Sequence, residues 1–202
     1  LHSDTHSFPT RRSSDLYMAS SAAHVSGRRL VSSETCTWLR NHFRSALSQV
    51  KPEIDQLFLS GINHVIYHGC CYSPKEAAWP GWLFYASLEA NPRNAIWRDI
   101  PALNEYIARC QSILQSGKPA NDILLYWPIY DLWSQPDGLN QNCTVHHEGW
   151  LTDSPCGRLA KYLREQGYLF DFISDRQLQH VEATERGLKT GGACYRAVLV
   201  PP

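Results

Sequence analysis

A glutamate, a tyrosine and a histidine stand at the ends of two strand-like stretches of this sequence. Glu34 follows the short stretch 30–33, while Tyr67 closes the stretch 62–67 and His68 follows it. Carboxylates and imidazoles are the side chains that most often move protons in catalysis. The pattern predicts Glu34 as a catalytic carboxylate, with Tyr67 and His68 in the same pocket.

An aromatic-rich loop follows these residues and would overhang the same pocket. The loop covers residues 68–94, and its largest side chains are Trp79 and Trp82. Aromatic rings pack against the C–H faces of sugars while nearby polar groups bind the hydroxyls, so the loop suits a carbohydrate ligand. Each residue also has a structural interpretation, as a solvated loop glutamate, a hydrogen-bonded histidine or a ring that packs the loop. Residue types alone leave both interpretations open.

The elements that would position these residues alternate between strand and helix. Hydrophobic spacing predicts strands at 30–33 and 62–67 and helices at 38–60 and 100–115, the first helix being capped by Thr37. Two such βα units cannot close a sheet by themselves. They fit the last two units of a (β/α)8 TIM barrel, whose active sites lie at the C-terminal ends of the strands. The three candidate residues would then share the catalytic face of a barrel.

A linker at 117–121 separates this first domain, residues 17–118, from a second domain at 119–202. The second domain alternates strands and a helix, predicted at 122–127, 157–167, 169–173 and 197–200. It resembles the flavodoxin-like or glutamine-amidotransferase-like domain that follows the barrel in several glycosidase families, here truncated. The expected fold class is therefore α/β, the C-terminal part of a TIM barrel followed by part of such a domain.

Composition excludes several classes of function. The 202 residues carry 19 basic and 19 acidic side chains, and no basic stripe with interleaved aromatics indicates nucleic-acid binding. No apolar run reaches the ~20 residues that a membrane-spanning helix needs. None of the seven cysteines lies in a CxxC pair, so neither a zinc site nor a disulfide framework is indicated. His146 and His147 are adjacent and would point apart on a strand, so metal ligands stay unknown.

Residues 6–16 read as a translated sequencing-library adapter, because one reading frame of that adapter encodes every residue of the stretch. Residues 1–16 are therefore set aside as a non-native tail. On this interpretation the natural protein extends upstream of Tyr17, and any signal peptide lies there too. The stretch 197–202 ends as abruptly, which predicts an internal fragment of a larger protein.

Seven stretches of the chain, one of them Val31-Ser-Ser-Glu-Thr-Cys-Thr-Trp38, resemble a single enzyme family in the same order. They are 31–38, 55–64, 67–69, 72–74, 78–87, 104–111 and 167–178. On these stretches the chain resembles glycoside hydrolase family 106, the bacterial α-L-rhamnosidases. The resemblance covers essentially everything after residue 16.

The resemblance implies an inverting hydrolase that removes terminal α-linked L-rhamnose from glycans. Inversion uses two carboxyl groups roughly 6.5–9.5 Å apart, one as acid and one as base. Glu34 matches the family's glutamate after a late barrel strand and is assigned the base, with the acid as the alternative. The partner glutamate would lie on missing N-terminal barrel segments, so this chain alone is expected to be inactive.

The same resemblance implies pocket roles for His68 and Tyr67 and, more weakly, for Trp79 and Trp82. It also implies a calcium ion, whose ligands cannot be assigned in this chain, and a periplasmic or secreted bacterial location. The expected partner is a rhamnose-containing oligo- or polysaccharide, with neither nucleic acid nor a membrane span.

Three alternatives remain beside this interpretation. The first is another TIM-barrel glycosidase with an amidotransferase-like domain, similar to the β-galactosidases. The second is a non-catalytic carbohydrate-binding fragment, which would keep the aromatic loop and have no use for Glu34. The third is a working amidotransferase, which needs a nucleophilic cysteine on a strand-to-helix turn. Cys194 precedes its predicted strand, and we reject that role for it.

Overall fold

The computed structural model describes residues 13–144 and 149–202. Two compact units divide the described residues, one formed by residues 30–117 and the other by residues 13–29 together with 118–202. The helices are α1 (Ser13–Val25), α2 (Leu47–Leu59), α3 (Ile100–Ser116), α4 (Ile129–Trp133), α5 (Gly149–Thr152), α6 (Pro155–Glu165) and α7 (Asp175–Leu178). The strands are β1 (Ser32–Thr35), β2 (His64–Tyr67), β3 (Ile123–Tyr126), β4 (Phe170–Ile173), β5 (Glu182–Thr184), β6 (Gly187–Lys189), β7 (Cys194–Tyr195) and β8 (Ala197–Leu199).

In the 30–117 unit, β1 and β2 form a two-stranded parallel sheet joined by α2. Apolar residues at helical spacing turn one side of α2 and of α3 toward a shared core, where Ile54 and Ile107 are buried together. Val65 and Tyr67 of β2 pack on that core from the sheet. Because side chains alternate along a strand, Glu34 and its register partner Ile66 point to the opposite face, where both are exposed.

The predicted helix at 38–60 was wrong in its first third. The helix begins at Leu47, and Thr37 caps nothing, since its hydroxyl bonds to Glu34 instead. Cys36 and Phe43 adopt left-handed backbone angles, which a helix cannot contain. At the observed start of α2, the Ala46 N–H donates to the Gln49 side-chain oxygen at 3.1 Å, which satisfies one of the free backbone donors there. The predicted helix at 100–115 is confirmed as α3.

The second unit contains a three-stranded parallel sheet in the order β4-β3-β8. All four residues of β4 are buried, as are Leu124 and Leu125 of β3, which is typical of a parallel sheet covered on both faces. Helix α6 packs against one face through Ala160 and Leu163. The strands predicted at 122–127, 169–173 and 197–200 correspond to β3, β4 and β8.

Residues 17–29, which sequence patterns assign to the first domain, pack in the second unit. Helix α1 lies along β4, and the Phe172 N–H donates to the Ser21 hydroxyl at 2.8 Å. Tyr17 stacks on the Phe170 ring with centroids 5.8 Å apart. Because β4 has a strand partner on one side only, α1 covers the strand and supplies a hydrogen-bond acceptor for its backbone.

The three short strands β5, β6 and β7 form an antiparallel sheet of their own. Sequence patterns predicted none of them, because each has only two or three residues. Taken together, the described residues have the mixed α/β architecture expected, with small separate sheets and no closed barrel. None of the described helices is long and apolar enough to cross a membrane.

Candidate active site

Glu34 lies next to the last residue of β1, on the exposed face of the two-stranded sheet. Its side chain is 62% exposed, and its Oε2 accepts a hydrogen bond from the Thr37 hydroxyl at 2.9 Å. Thr37 can fold back onto the glutamate because the chain turns sharply at Cys36. The carboxylate is therefore both oriented by a neighbour and open to solvent, as a group that exchanges protons with water must be.

His68 faces Glu34 from the neighbouring strand. Its N–H donates to the Thr35 carbonyl oxygen at 2.7 Å, which fixes the backbone directly beyond β2. The imidazole Nε2 lies 3.8 Å from Glu34 Oε1, beyond hydrogen-bond length but within the range where a protonated ring attracts a carboxylate. The ring is 31% exposed, and its Nδ1 is buried without a hydrogen-bond partner. The structure thus brings together two of the residues that the sequence singled out.

Tyr67 lies on the other face of the sheet, turned toward the helices. Its hydroxyl donates to Asn104 Oδ1 on α3 at 3.1 Å, and its ring packs against the core of the unit. Burial, followed by the nearby Cys36 thiol, raises the pKa of the phenol to about 12. These contacts turn Tyr67 away from the face that carries Glu34, and its pocket role stays a prediction.

Trp79 and Trp82 remain on the surface of the aromatic loop, 72% and 60% exposed. Trp79 packs against Phe43 with ring centroids 5.7 Å apart, and the Trp82 N–H donates to the Ser73 hydroxyl at 2.9 Å. The Arg93 guanidinium donates to three loop carbonyl oxygens, at 2.9–3.1 Å. Arg93 therefore holds the loop in shape, and the two rings are available to a ligand.

Sequence reasoning missed Thr37, Phe84 and Glu89. The Phe84 ring meets His68 edge-on, with centroids 5.0 Å apart and planes at 84°. Glu89 is fully buried, and its Oε1 accepts the Phe84 N–H at 3.3 Å. The position of the Thr37 hydroxyl, three residues after Glu34, could have indicated a hydrogen bond between them, but the sequence pattern favoured a helix cap. Nothing local in the sequence marks Glu89 as buried.

No group of three or more His, Cys, Asp or Glu side chains within the described ranges could hold a metal ion. His146 and His147 lie outside the described residues. Cys194 sits in β7 and donates to the Arg186 carbonyl oxygen at 3.4 Å, away from any strand-to-helix turn.

Comparison with known proteins decides the family. The model of the family described as alpha-L-rhamnosidase, glycoside hydrolase family 106, matches residues 2–201. The chain belongs to this rhamnosidase family. The rhamnosidase from Novosphingobium sp. PP1Y has a similar structure, with a TM-score of 0.65 over 94% of this chain at 19% sequence identity. At that identity the likeness concerns the fold alone.

A second relative of this rhamnosidase-family chain is a protein of Formosa agariphila provisionally named a beta-glucuronidase. It is 33% identical over 108 residues, which is 53% of this chain. The chain spans only 9% of that relative and 16% of the Novosphingobium rhamnosidase. Most of the length of either protein therefore has no counterpart in these 202 residues.

Cys156 lies in the first turn of α6 in the second unit, and we expect its thiol to be unreactive. Burial raises the pKa of its thiol to about 12, so at pH 9 on the order of 0.1% is thiolate, the reactive form. Iodoacetamide labelling followed by peptide mass spectrometry should leave Cys156 unmodified in the native chain and label it in urea. Exposed Cys143 is the internal control. Equal native labelling rates at both positions would contradict the expectation.

Proposed function

We propose that this chain carries one half of the catalytic apparatus of a glycosidase that removes terminal α-L-rhamnose from glycans. The observation that carries the proposal is the exposed, Thr37-oriented carboxylate of Glu34 near the C-terminal end of a parallel strand. His68 stands beside it and exposed tryptophans lie on the loop that follows. Membership of the rhamnosidase family supports this substrate class.

The proposed mechanism is inverting. Glu34 acts as the general base and takes a proton from the water that attacks the anomeric carbon, while a second carboxylic acid protonates the leaving oxygen. Glu89 is unsuited to be that second group, because it is fully buried and can reach neither water nor a glycosidic oxygen. We assign the acid to a glutamate outside these 202 residues. His68 contributes by binding a sugar hydroxyl beside Glu34.

We further propose that the 30–117 unit is the last part of a (β/α)8 barrel. Its parallel strands are covered by helices on one face only, and the other face carries Glu34, as the inside of a barrel would. The second unit would be a flavodoxin-like or amidotransferase-like domain with a structural role. In its parallel sheet the first strand, β3, lies between the second and third, β4 and β8. Flavodoxin-like sheets begin with this same order, which supports the assignment.

The test is a comparison of substrates with the full-length protein that contains this chain. We expect hydrolysis of an aryl α-L-rhamnoside and none of the matched aryl β-D-glucuronide or β-D-galactoside. Proton NMR should show β-L-rhamnose as the first product, because inversion turns the α-linkage into the β-anomer. Cleavage of the glucuronide or galactoside alone would contradict the substrate class, and α-L-rhamnose as the first product would contradict inversion.

One observation favours a binding function as the second candidate. Trp79 and Trp82 are exposed on a loop that is held by Arg93, which is how a sugar-binding surface without chemistry would also look. A binding protein would retain affinity for rhamnose and show no turnover of any substrate in the same comparison.

A further inference from the structure

Glu89 is a fully buried acidic side chain at the base of the aromatic loop. Its backbone has a left-handed φ of +54°, which points the side chain inward from a short turn. Two long hydrogen bonds reach the carboxylate, from the Phe84 N–H at 3.3 Å and from Asn91 Nδ2 at 3.5 Å. Two such bonds compensate poorly for removing a carboxylate from water, so the group calls for a further polar partner.

That partner is His42. Its Nδ1 lies 3.1 Å from Glu89 Oε1, close enough for direct contact, although the orientation does not meet hydrogen-bond geometry. Its side chain is one-third exposed, so water can reach the imidazole while the carboxylate stays shielded.

The turn that carries Glu89 is bonded to the segment that carries His68. The Leu88 N–H donates to the His68 carbonyl oxygen at 3.3 Å, and the Ala90 N–H donates to that of Gly69 at 2.9 Å. The Ser87 hydroxyl donates to the Gly69 carbonyl oxygen and accepts the Gly69 N–H, at 2.9 and 3.2 Å. A shift of Glu89 would therefore move the backbone beside His68.

A second route runs through a side chain. Glu89 Oε1 accepts the Phe84 N–H, and the Phe84 ring stands edge-on against the His68 ring. The Phe84 ring limits how far the His68 imidazole can rotate away from Glu34. The Nδ1 side of the imidazole is buried as well, so the ring has little room on that side. Both routes reach His68, whose Nε2 lies 3.8 Å from Glu34 Oε1.

We propose that the contact between His42 and the buried Glu89 carboxylate is a positioning device that holds His68 beside Glu34. Glu89 and His42 act through His68 and touch neither substrate nor water at the reacting carbon. The importance of this device for catalysis rests on the proposed function, whereas its effect on His68 does not.

The test follows His68 directly, in the full-length protein, by its rate of acylation with diethyl pyrocarbonate measured by peptide mass spectrometry. Glu89→Gln keeps the shape and the Phe84 bond but removes the charge, and His42→Gln removes the partner from a more exposed position. We expect both to raise the His68 rate several-fold while leaving His64, which lies on the same sheet face, unchanged. Glu105→Gln on α3, an exposed acid, is the matched control.

Kinetics on an aryl α-L-rhamnoside give the second readout. Loss of positioning should lower kcat roughly ten- to hundred-fold with KM nearly unchanged. In a His68→Ala background, Glu89→Gln should lower kcat no further, because its route of action is already gone. A purely structural role would lower the unfolding midpoint and the folded fraction but spare kcat per folded molecule.

The outcomes separate the two proposals. An unchanged His68 acylation rate in both folded variants overturns the positioning device, whatever the enzyme hydrolyses. A raised His68 rate in a protein that does not cleave the rhamnoside leaves the device in place and removes the proposed function. Should Glu89→Gln fail to fold, His42→Gln alone decides the matter.

Discussion

Glu34→Gln should lower kcat of the full-length enzyme on an aryl α-L-rhamnoside about 10³-fold, a typical contribution of a general base. The loss corresponds to ~4 kcal/mol of transition-state stabilisation. Glutamine retains the shape of the side chain and a bond to Thr37, but its amide cannot accept a proton from water. KM should change little, because Glu34 acts on the water rather than on the bound sugar.

Substrates with different leaving groups distinguish whether Glu34 is the general base or the general acid. A dinitrophenyl leaving group needs no protonation, so a variant that lacks only the general acid would retain near wild-type rates on it. We expect Glu34→Gln to stay inactive on this substrate, and recovery there would reassign Glu34 as the acid. Glu165→Gln on α6, exposed and far along the chain, is the control and should leave kcat unchanged. Full activity of Glu34→Gln on both substrates would remove the catalytic assignment.

Asp171→Ala should cost about 2–5 kcal/mol of unfolding free energy, because it removes the shared partner of two largely buried polar groups, each costing about 1–3 kcal/mol when left unsatisfied. Asp171 is buried at the middle of β4, where Oδ2 accepts the Tyr195 hydroxyl at 2.8 Å and Oδ1 lies 2.9 Å from His24 Nδ1. Tyr195 itself is fully buried, and burial followed by the Asp171 charge raises the pKa of its phenol. Alanine would leave both the phenol and the imidazole without their acceptor.

Urea unfolding, followed by circular dichroism, measures this effect. Tyr195→Phe should cost less, about 1–2 kcal/mol, since it removes one hydrogen bond and keeps the buried ring. Asp137→Ala is the matched control, because that exposed aspartate precedes the short 3₁₀ helix Gly138–Asn140 and its side chain makes no cap hydrogen bond there. A midpoint for Asp171→Ala that matches the Asp137→Ala control would show that the network contributes little.

Local sequence determined the elements whose pattern is carried by consecutive residues. The spacing of Leu103 and Ile107 predicted α3 almost to its ends, and the run of apolar residues at 169–173 predicted β4, since both patterns report burial directly. The same reasoning put Glu34 near the end of a parallel strand, which is where it lies. The adapter-like stretch 6–16 and the family-like stretches were likewise visible without coordinates.

Tertiary structure alone decided which side chains meet. Thr37 looked like a helix cap until the left-handed Cys36 turned it back toward Glu34, and strand alternation put Tyr67 on the face opposite to Glu34. His24 lies 147 residues from its partner Asp171, and the burial of Glu89 comes from residues on both sides of the loop. Such pairs leave no periodic trace in the sequence, because each depends on where the chain returns rather than on neighbouring residues.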